Sequence, residues 1–166
     1  MTARAPELLI MVCGAADRGD DRAALAAIAQ VLPALPSDLA SRIAVHRCPQ
    51  LDVTDLINVS DGEACLVIDT VVGVEPGSIV TLSLQELSQR TDGLTPRSSH
   101  ALTIGDALCI AEVVRGSLPS GAFVGIGGRW FGYSERFSRP VTAALPALTA
   151  AIRQAIEDLL PARAST

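Results

Sequence analysis

Apolar residues come in short blocks along this chain, separated by polar turns, and their grouping changes from block to block. ELLIMVC (7–13) and EACLVID (63–69) are continuous apolar runs, the pattern of strands buried on both faces. RIAVHR (42–47), IVTLSL (79–84) and GAFVGIGG (121–128) read as three further strands. Between them lie helical stretches. Residues 21–32 place Ala24, Leu25, Ile28 and Leu32 on one side of a helix, and LDVTDLI (51–57) reads as a short helix entered through Asp52 or Thr54. Residues 101–115 form a helix apolar on most sides, stopped by Gly116 at its C′ position. The last helix runs from a Ser138 cap to about Leu160, with Pro140 near its first turn; Pro146 kinks it or marks its true start.

ALPS (34–37) and GVEPGS (73–78) are turns, and the polar stretch 85–100 reads as an irregular loop. Strands alternating with helices predict an α/β fold, mostly parallel, with both faces of the sheet covered. A length of 166 residues suits one domain with one buried core, and the elements span about 7–160 with no repeat or linker.

Composition narrows the class. Hydrophobic residues make up 49% and charged ones 19%, which argues against disorder, while only 3% aromatic content leaves the core to Ala, Val, Leu and Ile. A net charge of -5 without a basic block argues against a nucleic-acid partner. Cys13, Cys48, Cys65 and Cys109 are scattered, with no C-x-x-C pair; three of them sit in apolar runs as small hydrophobes. That usage fits a reducing cytosol. The N-terminal apolar run is too short for a signal peptide or a membrane span, so a cytoplasmic protein without membrane insertion is expected.

Ligands of open α/β sheets bind beyond the carboxyl ends of the strands. Three residues with metal-binding chemistry fall there: Asp21 after the first strand, Asp69 closing LVID, and His100 before the third main helix. Two carboxylates and an imidazole suit a borderline divalent ion such as zinc, nickel or cobalt. Each also has an ordinary reading, as a helix cap, a loop-bonding acid or a surface histidine. Asp20 and Asp21 would themselves occupy an anion-binding helix start and repel a phosphate, and the turn carries no P-loop or G-x-G-x-x-G spacing.

LLIMVCGAADRGDDRAAL, ACLVIDTVVGVEPGSIV, SSHALTIGDALCIAEVV and FSRPVTAALPALTAAI together resemble, in order and spacing, the hydrogenase maturation proteases. The resemblance runs from about Leu8 to Leu160. It implies a three-layer α/β/α sandwich with a twisted, mostly parallel five-stranded sheet. It also implies an aspartic-type, metal-assisted endopeptidase whose partner is a hydrogenase large-subunit precursor. The C-terminal extension of that nickel-iron subunit would be removed after nickel insertion. Asp21, Asp69 and His100 would then be the catalytic and metal-binding trio, with Asp20 as a supporting acid or cap. The nickel would come with the substrate, zinc or cadmium substituting for it.

Two departures from the family pattern stand out. Gly14-Ala15 replaces the usual Gly-Asn, and Arg47-Cys48-Pro49-Gln50 stands where the family has an acidic, glycine-rich loop. Arg47, Cys48 and Gln50 are therefore candidates for the substrate-facing loop, and Pro49 stiffens it. His46 and Cys48, two apart, share a side of the strand; they are either a soft ligand or nucleophile pair, or a surface residue and a filler. Stretch 127–137 holds four of the chain's five aromatics, as partner anchors or as cover for a core edge, and the RGD at 18–20 is incidental. A second functional reading is a diverged, non-cleaving binding or chaperone-like module that senses a partner's metal state. A small-molecule hydrolase or nucleotide binder ranks last.

Overall fold

The computed structural model describes residues 5–90, 94 and 102–161. Five strands, β1 (Leu8–Cys13), β2 (Ile43–Cys48), β3 (Ala64–Val71), β4 (Ile79–Ser83) and β5 (Gly121–Gly127), form one sheet in the order β2-β1-β3-β5-β4. All pairings are parallel except β4 with β5, which is antiparallel. The α/β class and the mostly parallel five-stranded sheet are thus as expected.

Alternation along the strands divides the core between two helical layers. In β1, Leu8, Ile10 and Val12 face a layer made by α1 (Ala23–Val31) and α6 (Arg139–Leu159), against Ala24, Ile28, Leu148, Ile152 and Ile156. Met11 and Cys13 point the other way, into a layer with Leu56 of α3 (Val53–Ile57), Leu84 and Leu87 of α4 (Leu84–Ser88), and Leu108 of α5 (Ile104–Arg115). A further short helix, α2 (Ser37–Ala40), precedes β2. Strands β1 and β3 are buried on both faces, which is why their sequences are continuous apolar runs. By the same parity Asp69 lies on the α3–α5 side of β3, and Thr70 on the α1–α6 side.

Several expectations need correction. Asp69 does not end its strand: β3 continues through Thr70 and Val71, held by the Val71–Gly127 pairing with β5. The first helix starts at Ala23, not 21, because Gly19–Arg22 winds as a tighter 3-10 turn. Its buried face is Ala23, Ala24, Ala27, Ile28 and Val31, while Leu25 and Leu32 are only partly buried. The polar stretch from 85 is not all irregular. Ser83 caps α4, accepting from the Glu86 amide at 3.0 Å while Glu86 accepts from the Ser83 amide at 2.7 Å.

Helix α6 runs unbroken through Pro146, which therefore does not mark its start. Pro146 is exposed, so the carbonyl it leaves without an amide partner faces water. Cys109 is exposed on α5 rather than packed as a small hydrophobe, unlike Cys13 and Cys65. Gly116 does end α5, in the left-handed conformation at φ 82.

Candidate functional site

The carboxyl ends of β1, β2 and β3 open onto one rim of the sheet, and the turn after β1 supplies its floor. Gly14 starts that turn at φ 138, and a Cβ there would lie 2.0 Å from the Asp21 carbonyl oxygen, so the close approach needs glycine. The Ala15 amide donates to Asp21 Oδ2 at 2.9 Å. This bond fixes the Asp21 carboxylate beneath the turn, where the residue is 4% exposed.

Asp20 points elsewhere. Its carboxylate accepts from the amides of Arg129 at 2.8 Å, Trp130 at 2.9 Å and Ser138 at 2.7 Å, and from the Ser138 hydroxyl at 2.8 Å. Ser138 occupies the cap position of α6 but gives its hydroxyl to Asp20 rather than to the helix. Backbone bonds from Gly19 to Ser134, from Asp20 to Trp130 and from Ser134 to Asp17 stitch the same two segments together. The Thr70 hydroxyl adds a bond to the Asp20 carbonyl at 2.9 Å. Asp20 is thus a clamp joining the first turn to the aromatic-rich loop.

That loop still exposes two of its rings. Trp130 is 57% and Tyr133 73% exposed. Arg18 lies 3.6 Å from the centre of the Tyr133 ring and donates to its hydroxyl at 2.6 Å.

Asp69 sits across from Asp21. It is buried, and its Oδ1 accepts from the Thr70 amide at 2.7 Å. Burial raises its pKa to about 8, the Asp21 charge adds to the rise, and the Thr70 amide opposes it. Two carboxylates are therefore held close enough to repel each other in a dry place, each tied by a backbone amide. Their donor set fits a divalent cation, which favours the ionised form of both. His100, the third expected ligand, lies outside the described residues.

A second group lies at the end of β2. His46 Nε2 is 3.2 Å from Asp55 Oδ1 of α3. Cys48 completes a set with His46 and Asp55 whose ligand atoms all lie within 4.8 Å of one another. Cys48 Sγ is also 3.3 Å from Cys13 Sγ, its cross-strand neighbour on β1. Cys13 has its pKa pushed well up, chiefly by the hydrogen bond with Cys48, then by burial and by the charges of Asp69, Cys48 and Asp55. It therefore stands electrostatically between the two groups. Arg47 and Gln50 are exposed, whereas Cys48 between them is buried and accepts the Gly14 amide through its carbonyl at 3.1 Å.

Sequence reasoning passed over Asp55 and Cys13. The signal for Asp55 was available: it is the third residue after the Asp52 cap, the reciprocal position of a capping box. Cys13 carried no signal beyond its place in an apolar run.

With this rim defined, the fold has clear counterparts. Over 92% of this chain and 93% of the other, it superposes on the hydrogenase maturating endopeptidase HybD from E. coli, at TM-score 0.71 and 15% identity. The fold is that of a hydrogenase maturation protease. The [NiFe] hydrogenase maturation protease HybD from Thermococcus kodakarensis matches at TM-score 0.60 and 22% identity, covering 89% of this chain and 97% of that one. A [NiFe] hydrogenase maturation protease HycI from Thermococcus kodakarensis KOD1 matches at TM-score 0.62 and 15% identity, covering 91% and 92%. No protein-family profile and no curated protein sequence matches the chain. Among the described residues no helix is long and apolar enough to cross a membrane.

Proposed function

We propose that the chain is a processing endopeptidase that removes the C-terminal extension of a nickel-iron hydrogenase large subunit once nickel has been inserted. The observation that carries this reading is the buried Asp21–Asp69 pair at the rim of a maturation-protease fold. A structural acid pair would gain stability from being moved apart or neutralised. Here two backbone amides hold the carboxylates in place despite their repulsion, an arrangement that a divalent cation relieves.

In this reading Asp21 and Asp69, with His100, grip the nickel that the substrate already carries, and zinc or cadmium takes its place in vitro. The ion supplies Lewis-acid polarisation of the scissile carbonyl or an activated water. Asp20 keeps the first turn in register so that Asp21 is presented. Arg47 and Gln50 flank the buried Cys48 on the exposed end of β2, positioned to meet the incoming subunit.

The test is cleavage of a nickel-loaded large-subunit precursor, followed as a mass loss at its C-terminus. Wild-type protein should process it, and Asp69→Asn and His100→Ala should each slow processing by at least about a hundredfold. Normal processing by both variants would overturn the metal-site mechanism. The departure at Arg47–Gln50, where Pro49 stiffens the loop, favours the second reading, a non-cleaving module that senses metal state. Tight binding of the precursor without any cleavage would establish that alternative.

A further inference from the structure

The group at the end of β2 is built as a ligand set in its own right. Strand β2 is an edge of the sheet, and its residues at i and i+2 share a side. His46 and Cys48 thus both face α3. That helix is aimed by its cap: Asp52 Oδ1 accepts from the Thr54 amide at 2.7 Å, and Asp55 Oδ2 accepts from the Asp52 amide at 3.0 Å. Fixing Oδ2 in this way turns Asp55 Oδ1 toward His46 Nε2, at 3.2 Å. One nitrogen, one oxygen and one sulfur therefore converge from two separate elements, all within 4.8 Å of one another.

That spacing suits a common ion. Ligand atoms about 2.0–2.3 Å from a tetrahedral metal are about 3.3–3.8 Å from each other, so small side-chain rotations bring this set onto one centre. We propose that His46, Cys48 and Asp55 form a metal site separate from the Asp21–Asp69 pair, taking a zinc-class divalent ion.

The chemistry matches on three counts. A thiolate, a carboxylate and a neutral imidazole together carry two negative charges, the complement of a divalent ion. Mixed sulfur and nitrogen donors select zinc or cobalt over calcium or magnesium. The Cys13 thiol is fully buried 3.3 Å from the Cys48 sulfur, within reach to donate to a thiolate ligand from behind.

Three protein ligands leave a fourth position, and the site is open to fill it. The His46 side chain is 49% exposed, beside a groove of about 220 Å³ lined by Leu9, Met11, His46, Asp55 and Asn58. A three-ligand site facing an open groove is the arrangement of an exchangeable ion, whose last position is taken by water or by a partner's side chain.

Cobalt titration of the full chain under reducing conditions tests this directly. Thiolate-to-cobalt charge transfer gives a near-ultraviolet band that carboxylate and imidazole ligands do not produce. One equivalent of Co²⁺ should bring up the band in the wild type and equally in Asp69→Asn, and Zn²⁺ should bleach it. Cys48→Ser should abolish it, while His46→Ala and Asp55→Asn should weaken cobalt binding at least about tenfold. Metal-free thermal unfolding of each variant, close to wild type, separates lost ligands from lost fold. The proposal falls if the wild type gives no band, if Cys48→Ser retains it, or if Asp69→Asn abolishes it. It also falls if thiol counting on the protein purified without reductant finds Cys13 and Cys48 joined as a disulfide. None of these readouts depends on cleavage, so the outcome is independent of the proposed peptidase activity.

Discussion

Two buried carboxylates, Asp20 and Asp69, are treated in opposite ways. Asp20 sits among four hydrogen-bond donors, three of them backbone amides, and is fully buried with its charge shared out. Asp69 has one amide and a like-charged neighbour, and its pKa rises to about 8 as a result. Both positions are dry. The difference lies in what surrounds the charge, and it separates an acid whose charge is met by donors from one whose charge is opposed by its surroundings.

The largest effect is expected on the Asp20 side. Asp20→Ala leaves three amides and a hydroxyl without their acceptor and should cost at least about 4 kcal/mol in urea unfolding, with early proteolysis in the 129–138 loop. A loss under about 1 kcal/mol would remove the contrast altogether.

Next comes Asp69→Asn in metal-free protein, expected to stabilise by a few kcal/mol at pH 9. The raised folded pKa means that the native state keeps a proton the unfolded chain has lost between pH 3.8 and about 8. Wild-type stability should therefore fall across that window and level off above it. The gain from Asp69→Asn should be full above pH 8 and vanish near pH 4, and thermal unfolding across pH reads both limits. Equal gain at both ends would mean that the change acts through packing rather than charge.

The smallest effect sharpens the Asp20 case. Ser138→Ala removes one donor of the four and should cost about 1 kcal/mol, leaving the other three bonds in place.

Much of the fold was legible because local pattern and tertiary context agree. Buried parallel strands must be apolar throughout, so β1 and β3 stand out in the sequence, and Gly116 marks the end of α5 through its left-handed backbone. The rim was legible only in part. Asp20 and Asp21 are indistinguishable as neighbours in sequence, because what separates them is the direction each side chain takes. Residues 129–138, over a hundred positions away, set the direction for Asp20. The extension of β3 past Asp69 likewise depends on pairing with β5, and the antiparallel direction of β4 on the same strand. Asp55 was readable as a cap partner, but its closeness to His46 was not, because that depends on which edge of the sheet its short helix packs against.

The clamp at Asp20 also orders events in time. Its partners at Arg129 and Ser138 are 109 and 118 residues away, a contact of very high sequence separation. Closing so long a loop is entropically unfavourable until β5 and α6 have found their places, so this contact belongs to the late steps of folding. The turn that presents Asp21 becomes rigid only then. A nascent or half-folded chain thus lacks the firm carboxylate pair, and the arrangement on which the proposed function rests arrives together with the completed fold.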